Sequence, residues 1–301
     1  MKRSFYSNGK LLLTGEYVVL DGAKALALPT KKGQTLTLAP RDNKELLWNS
    51  YDENNNAWFS ASFSLETFEV LKCDNSRIAA TLLNILKKAR DLQPEFLTGT
   101  KGVHAITKVD FPRNWGLGTS STLINNIAQW AKVDAFTLLQ NSFGGSGYDI
   151  AAAQHNKPIF YSLERNVPQV DEITLSWDFT DALFFVHLNQ KQDSKKGILR
   201  YKMQPATSQE LQKISDLTKK LLLCYSLSDF RAVIEAHEHS ISKIIGLPTV
   251  KDTLFPDFTG SIKSLGAWGG DFILATGVQD DMNYFRKKGY TTIVEFNEML
   301  L

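Results

Sequence analysis

Pro112-Arg113-Asn114-Trp115-Gly116-Leu117-Gly118-Thr119-Ser120-Ser121 is the stretch on which the fold turns. Before it, Gly102 to Phe111 reads as a strand; after it, Thr122 to Trp130 has helical spacing. The segment is thus a glycine turn between a strand and a helix start. Gly116 and Gly118 let backbone approach a ligand closely, the helix start offers amide groups, and Thr119, Ser120 and Ser121 add hydroxyls. A phosphate needs all three. The segment is neither a Walker-type loop, which ends Gly-Lys-Ser/Thr, nor a dinucleotide fingerprint, which needs a third glycine where Ser121 stands. Alone, it fits a tight turn with serine caps equally well.

Working outward, the first third reads as strands: apolar runs at 10–13 and 17–20, alternation from Gln34 to Leu38, and alternation with aromatics from Ala57 to Ser64. Ser76 to Leu92 carries Ile78, Leu82, Ile85, Leu86 and Ala89 on one helical face, with Ser76 as the expected cap and Pro94 as the stop. Beyond the quoted segment, Ala135 to Ser142 reads as a helix. Gly144-Gly145-Ser146-Gly147-Tyr148-Asp149 then leads into a small-residue helix at Ile150 to Ala153, and Pro158 to Ser162 reads as a strand. The polar stretch Glu164 to Glu172 suggests a boundary, giving domains 1–168 and 169–301. After it come a strand at Ala182 to Leu188, helices near Gln209 to Leu223 and Phe230 to Ile245, and strands at Ser261 to Ser264, Asp271 to Ala275 and Thr291 to Glu295. A short helix falls near Gln279 to Lys288. Segregated strands and helices predict an α+β fold rather than a doubly wound parallel sheet.

Composition limits the function classes. The 301 residues, 43% hydrophobic and 22% charged, are ordinary for a globular chain. Thirty-four basic against 32 acidic side chains leave +2, which gives no electrostatic footprint for nucleic acid or an anionic membrane. Ser4, Ser7, Asn8, Gly9 and Lys10 interrupt any signal core after Met1-Lys2-Arg3, and no window approaches the ~18 apolar residues of a membrane span. A cytoplasmic location is expected. Cys73 and Cys224 are too few for a disulfide framework and lack metal spacing. Twelve of the 19 glycines fall in four short clusters, around Gly15, Gly116, Gly145 and Gly269.

Those clusters carry a resemblance. The quoted segment resembles the phosphate-binding loop of the GHMP small-molecule kinases, a proline followed after a spacer by Gly-Leu-Gly-Ser-Ser. Ser7-Asn8-Gly9-Lys10-Leu11-Leu12-Leu13-Thr14-Gly15-Glu16-Tyr17 is similar to that family's N-terminal motif. Lys263-Ser264-Leu265-Gly266-Ala267-Trp268-Gly269-Gly270-Asp271 is similar to its C-terminal glycine-rich motif. All three occur in the family's order. Lys10 with Thr14 to Tyr17 looks most like the mevalonate and phosphomevalonate kinase branch. Gly147 to Ala151 also reproduces the Gly-Tyr-Asp-Ile-Ala string of a bacterial subgroup.

The resemblance implies a two-domain GHMP kinase fold, with an N-terminal domain like ribosomal protein S5 domain 2 and a ferredoxin-like C-terminal domain. MgATP and a mevalonate-like hydroxy-acid or phosphorylated acceptor would lie between them. The implied chemistry moves a γ-phosphoryl group onto a hydroxyl or phosphate. Asp149 would accept or orient the acceptor proton, and Lys10 would offset transition-state charge. Gly116, Leu117, Gly118, Thr119, Ser120 and Ser121 would hold the nucleotide, as would Gly266, Ala267, Gly269 and Gly270. Ser120 would ligate Mg²⁺, with helix capping as its competing role. Glu16, Ser146, Gly147 and Lys195 are candidate substrate contacts, though Glu16 could equally fix the N-terminal turn and Lys195-Lys196 could be a solvated basic turn.

Three positions depart from the family pattern. Trp268 stands where a glycine is usual, so its ring must point away from the phosphates, pack on a ligand or block the loop. Leu265 replaces a hydroxyl residue. Leu138 and Leu139 stand where mevalonate kinases carry an acidic Mg²⁺ ligand. These departures keep a catalytically silent ligand-binding relative in view, alongside an ATP-dependent decarboxylase of the same superfamily. The five histidines are expected to be structural or on the surface. No nucleic-acid or membrane partner is expected, and the chain is expected to be a monomer or homodimer.

Overall fold

The computed structural model describes residues 2–99, 101–191 and 194–301, with backbone only at Ser194 and Lys195. Packing divides the chain into two compact units. Unit 1 comprises Met1–Gly9, Lys32–Arg113 and Leu117–Gln154; unit 2 comprises Lys10–Lys31, Asn114–Gly116 and His155–Leu301. Strands β1 (Arg3–Thr14) and β2 (Ala25–Arg41) each contribute residues to both.

Unit 1 contains β3 (Glu45–Tyr51), β4 (Ala57–Ser64), β5 (Val70–Cys73), α1 (Ser76–Leu92), β6 (Gly102–Val109), α2 (Thr119–Ala131), α3 (Ala135–Ser142) and α4 (Tyr148–Gln154). Its strands run in the order β5-β4-β3-β6-β2. The pairing is antiparallel except for β3 with β6, which are parallel from Leu46↔Val103 to Tyr51↔Lys108. Alternation explains the sheet: Leu46 and Trp48 on β3, and Phe59, Ala61 and Phe63 on β4, all face one side. They pack with Leu82, Ile85 and Leu86 of α1 and Ile124, Ile127 and Ala128 of α2 in a single core cluster. The cap of α1 is Asn75, whose side chain accepts from the Ile78 N–H at 3.1 Å, and not the expected Ser76. Ser76 already belongs to the helix, whereas Asn75 has the extended backbone (φ −143°, ψ 111°) a cap needs.

Unit 2 contains β7 (Ile159–Glu164), β8 (Val167–Glu172), β9 (Leu183–His187), α5 (Ser194–Met203), α6 (Ser208–Leu221), α7 (Leu227–Ile245), α8 (Val250–Leu254), β10 (Ile262–Ser264), β11 (Phe272–Thr276), α9 (Asn283–Lys287), β12 (Ile293–Glu295) and α10 (Phe296–Met299). An antiparallel sheet runs β10-β11-β9-β12. Phe184, Val186, Ile273 and Ala275 face Phe255, Phe258 and Phe285 in one of its cores. The polar stretch 164–172, read as the place of a boundary, holds a strand: β8 pairs with β7 through a two-residue turn at Arg165-Asn166, both at positive φ. Its polar content reflects a strand that is largely accessible. Residues 17–20 are likewise not a strand. Tyr17 at φ 63° breaks the extended chain, and Val18–Asp21 forms a 3₁₀ turn with Val18 and Val19 buried. Lys195-Lys196 lies in the first turn of α5 rather than in a loop.

The unit 1 core has a direct test. Trp48 is 1% exposed and donates from Nε1 to the Ser50 hydroxyl at 3.1 Å. Trp48→Ala should cost about 3–5 kcal/mol of unfolding free energy, read as a lower urea midpoint at unchanged slope. A shift below about 1 kcal/mol would contradict this packing account.

Candidate active site

In unit 1 the quoted segment enters α2 through Gly118, which has a left-handed backbone (φ 86°, ψ 37°) and forms no side-chain cap hydrogen bond. A residue with a Cβ would be strained in that conformation. Neither Ser120 nor Ser121 caps the helix, so the capping role open to Ser120 in sequence is not the one it takes. Ser120 is exposed. A helix start of this kind concentrates amide groups and the positive end of the helix dipole, a combination suited to a phosphate.

Buried neutral groups hold α2 in place. The Thr122 hydroxyl donates to Gln34 Oε1 at 2.7 Å. A head-to-tail chain of donors then runs from Asn125 Nδ2 to the Ser7 hydroxyl (2.8 Å), from that hydroxyl to Asn126 Oδ1 (2.8 Å), and from Asn126 Nδ2 to the Gln34 carbonyl (2.9 Å). Ser7, Gln34, Thr122, Asn125 and Asn126 are all buried. Each polar atom in the chain has a partner, the condition under which a buried network specifies one arrangement. Gln154, the last residue of α4, joins it by donating to Asn125 Oδ1 at 2.9 Å.

Helix α4 carries Asp149 in its first turn, half-buried, directly ahead of the buried Ile150, Ala151, Ala152 and Ala153. Ser146 and Gly147 are buried just before it. Leu138 and Leu139, in the place of an acidic metal ligand, are core residues. No cluster of three metal-ligating side chains occurs among the described residues.

Unit 2 contains Lys10, Gly116 and the 263–271 segment. Lys10 Nζ donates to the Gly116 carbonyl at 3.0 Å. Gly116 sits so close to Asp271 that a Cβ there would lie 2.2 Å from the carboxylate carbon, so only glycine fits. Asp271 is fixed by its own N–H to the Gln190 carbonyl (2.9 Å) and by its carbonyl to the Leu188 N–H (2.8 Å). Trp115 packs edge-on against Phe272, at 5.3 Å between centroids. His187 and Gln190 carry no motif signal; only the fold brings His187 Nε2 within 3.2 Å of the Asn114 carbonyl, and Gln190 Nε2 to the Gly269 carbonyl at 2.5 Å.

The N-terminal motif ends in a buried charge cluster. Glu16 pairs with Lys263, Lys263 pairs with Glu238 at 3.1 Å, and all three are almost completely buried. Glu238 accepts from the Ser264 hydroxyl at 2.6 Å and from the Ser264 N–H. His237 Nε2 accepts from the Gly15 N–H at 3.1 Å and lies 3.7 Å from Glu16. Burial pushes Glu16 up to about 7 against the opposing pull of Lys263, and the charge of Glu238 adds to the rise. Burial would lower Lys263, but Glu16 and Glu238 outweigh it and raise the ammonium. Burial, then Lys263, holds His237 well below its ordinary value, so its ring is neutral. Burial first, and then the second carboxylate beside a single cation, are why a proton is retained near neutrality. The contacts of Glu16 with Lys263 and His237 both lie within unit 2. The side chain of Lys195 lies outside the described residues.

The fold is that of the GHMP kinases. The chain is similar to Methanococcus jannaschii mevalonate kinase, at 14% identity and TM-score 0.71 over 98% of this chain and 97% of that one. It is similar to Streptococcus pneumoniae phosphomevalonate kinase solved with phosphomevalonate and AMPPNP, at 13% identity and TM-score 0.71 over 97% and 99%. It is also similar to Lactococcus lactis galactokinase complexed with galactose, at 15% identity and TM-score 0.68 over 100% and 93%. No family model and no curated protein matches the sequence. No helix among the described residues is long and apolar enough to cross a membrane.

The cluster predicts a pH dependence. A carboxyl raised in the fold from its unfolded value of about 4.3 contributes stability that is full below that value and lost as pH rises through about 7. Calorimetry across pH 5 to 8 should therefore show the native protein losing Tm relative to Glu16→Gln, which keeps the Lys263–Glu238 pair. Parallel curves for the two proteins would contradict the assignment.

Proposed function

We propose that this chain is an ATP-dependent small-molecule kinase of the GHMP type whose acceptor is a mevalonate-like hydroxy acid or its phosphate. The observation that carries the reading is the start of α2: a left-handed Gly118 and first-turn residues without a side-chain cap, in a fold shared with mevalonate and phosphomevalonate kinases. The residues present fit a nucleotide phosphate. Gly116 to Ser121 would hold it through backbone amides and hydroxyls, with Gly266, Ala267, Gly269 and Gly270 as further backbone contacts. Ser120, exposed in the first turn of α2, would be the protein's oxygen ligand to Mg²⁺, which would supply charge compensation to the phosphates. MgATP, when bound, supplies the γ-phosphoryl group and its charge compensation.

The chain's own residues do the remaining work. Where the acceptor is a hydroxyl, Asp149 would take its proton as that oxygen bonds to the γ-phosphorus and the bond to departing ADP breaks; where it is a phosphate, Asp149 would orient the attacking oxygen. Lys10, already holding the Gly116 carbonyl, offers a cation to the charge that develops on the transferred group. Ser146 and Gly147 precede Asp149 directly and are the unit 1 candidates for acceptor contacts, with Lys195 a further one. The family's two-domain division, 1–168 and 169–301, belongs to the same proposal, as do a cytoplasmic location and a monomer or homodimer.

One observation favours a second reading, a silent ligand-binding relative: the buried Leu138 and Leu139 leave the metal without an acidic ligand at that place. A transfer assay separates the two. Labelled ATP is offered with mevalonate, phosphomevalonate, homoserine and galactose, to the native protein and to Asp149→Asn. The kinase reading expects transfer to at least one acceptor and a loss of about 10²-fold or more in Asp149→Asn, with AMPPNP binding retained. AMPPNP binding without transfer to any acceptor would establish the silent reading. Release of CO₂ from diphosphomevalonate would point to the decarboxylase branch.

A further inference from the structure

Trp268 is the residue least suited to a glycine-rich phosphate loop, yet its ring is only 7% exposed. It packs with Tyr17, Val18, Tyr201, Ile241 and Ile244 in an apolar cluster of unit 2. Its Nε1 donates to the Pro248 carbonyl at 2.9 Å, so the indole's polar atom is satisfied at the far end of the ring. At the near end, the backbone N–H of Trp268 donates to the Tyr17 hydroxyl at 2.8 Å. The loop is therefore held at Trp268 from two sides.

Tyr17 is held in turn. Its backbone is at φ 63° and ψ −48°, a strained conformation for a residue with a Cβ, which persists only where the surroundings over-determine it. Its ring stacks on Tyr201 at 6.4 Å between centroids, and the Tyr201 hydroxyl donates to Asp21. Burial is the first cause that raises the Tyr17 hydroxyl above its ordinary value, so it remains protonated and accepts from Trp268 through a lone pair. Glu16, the preceding residue, pairs with Lys263 at the start of the same loop. Two successive residues of the N-terminal motif thus grip the C-terminal one, Glu16 at its first residue and Tyr17 at its sixth. Beside the anchor, Gly266 has nothing within 4 Å of where a Cβ would stand.

We infer that Trp268 is a positioning residue: clasped by Tyr17, it sets the backbone of the 263–271 loop in a preorganised form for phosphate binding, instead of blocking that loop. The inference rests on the kinase reading for the loop's ligand. Preorganisation raises affinity by removing the ordering cost that a free glycine run incurs on binding. Trp268→Gly, which restores the family's residue, therefore has opposite consequences under the two views. A blocking ring would give tighter binding when removed; an anchoring ring gives weaker binding.

The experiment measures the Kd of AMPPNP with Mg²⁺ by calorimetry well below the melting temperature, with Tm recorded for each protein. Trp268→Gly should weaken binding about tenfold or more, and Trp268→Phe, which keeps an apolar anchor, should hold it within about threefold. Tyr17→Phe keeps the ring and loses only the acceptor. It should weaken binding about tenfold at a Tm within a few degrees of native, a split that a merely structural role would not produce. Equal or tighter binding by folded Trp268→Gly or by Tyr17→Phe would overturn the inference, and Tyr17→Phe decides alone if Trp268→Gly does not fold. If the native protein binds no AMPPNP, the kinase reading fails. The clasp is then read from hydrogen exchange at the Trp268 amide, which Tyr17→Phe should accelerate and which an unchanged rate would refute.

Discussion

A helix that begins without a cap is the constraint around which this protein is organised. The first-turn N–H groups of an α-helix have no partner within the helix, and an N-cap side chain ordinarily satisfies one of them. At α2 the cap position is Gly118 in a left-handed conformation, and no side chain fills the role. A chain with a net charge of only +2 cannot attract a nucleotide by its surface field, but backbone dipoles concentrated at one point can. Keeping that point rigid falls to the buried amides and hydroxyls of Ser7, Gln34, Thr122, Asn125 and Asn126, which bind the helix to its sheet.

Unit 2 solves a different problem with a different device. Here glycine-rich segments are fixed by charge and by aromatic packing: Lys10 on the Gly116 carbonyl, Asp271 against Gly116, and Glu16 on Lys263. A buried cluster with more carboxylate than cation is an expensive way to hold a turn, since an isolated buried charge is strongly disfavoured. It is tolerable because Lys263 faces two carboxylates, Glu238 is hydrogen-bonded by Ser264, and Glu16 retains a proton near neutrality. Glu16, a candidate substrate contact in sequence, and its neighbour Tyr17 both make bonds inside unit 2.

Much of the fold is legible in the amino-acid sequence. Strand β4 and helices α1 and α3 have the bounds their periodicity predicts, because each buries one regular face. The helix α5 was not legible: its run Ser194-Lys195-Lys196-Gly197 is charged, ends in glycine and has no apolar stripe. Strand β8 is not legible, because an accessible strand carries polar residues and so reads as a boundary stretch. At the site, glycine spacing marked the segments around Gly118, Asp149 and Gly269. What it could not show is which side chain touches which. Trp268 carried three possible orientations in sequence, and only the positions of Tyr17 and Pro248 select the one facing away from the loop.

The central claim is that backbone amides at the start of α2 hold the nucleotide's phosphates. Amide hydrogen exchange measured with and without AMPPNP and Mg²⁺ tests it most directly, because it reads the proposed donors themselves. The account predicts slowed exchange at Gly118, Thr119, Ser120 and Ser121 when the analogue binds. Binding that stabilises the protein while leaving exchange at those four amides unchanged would contradict it.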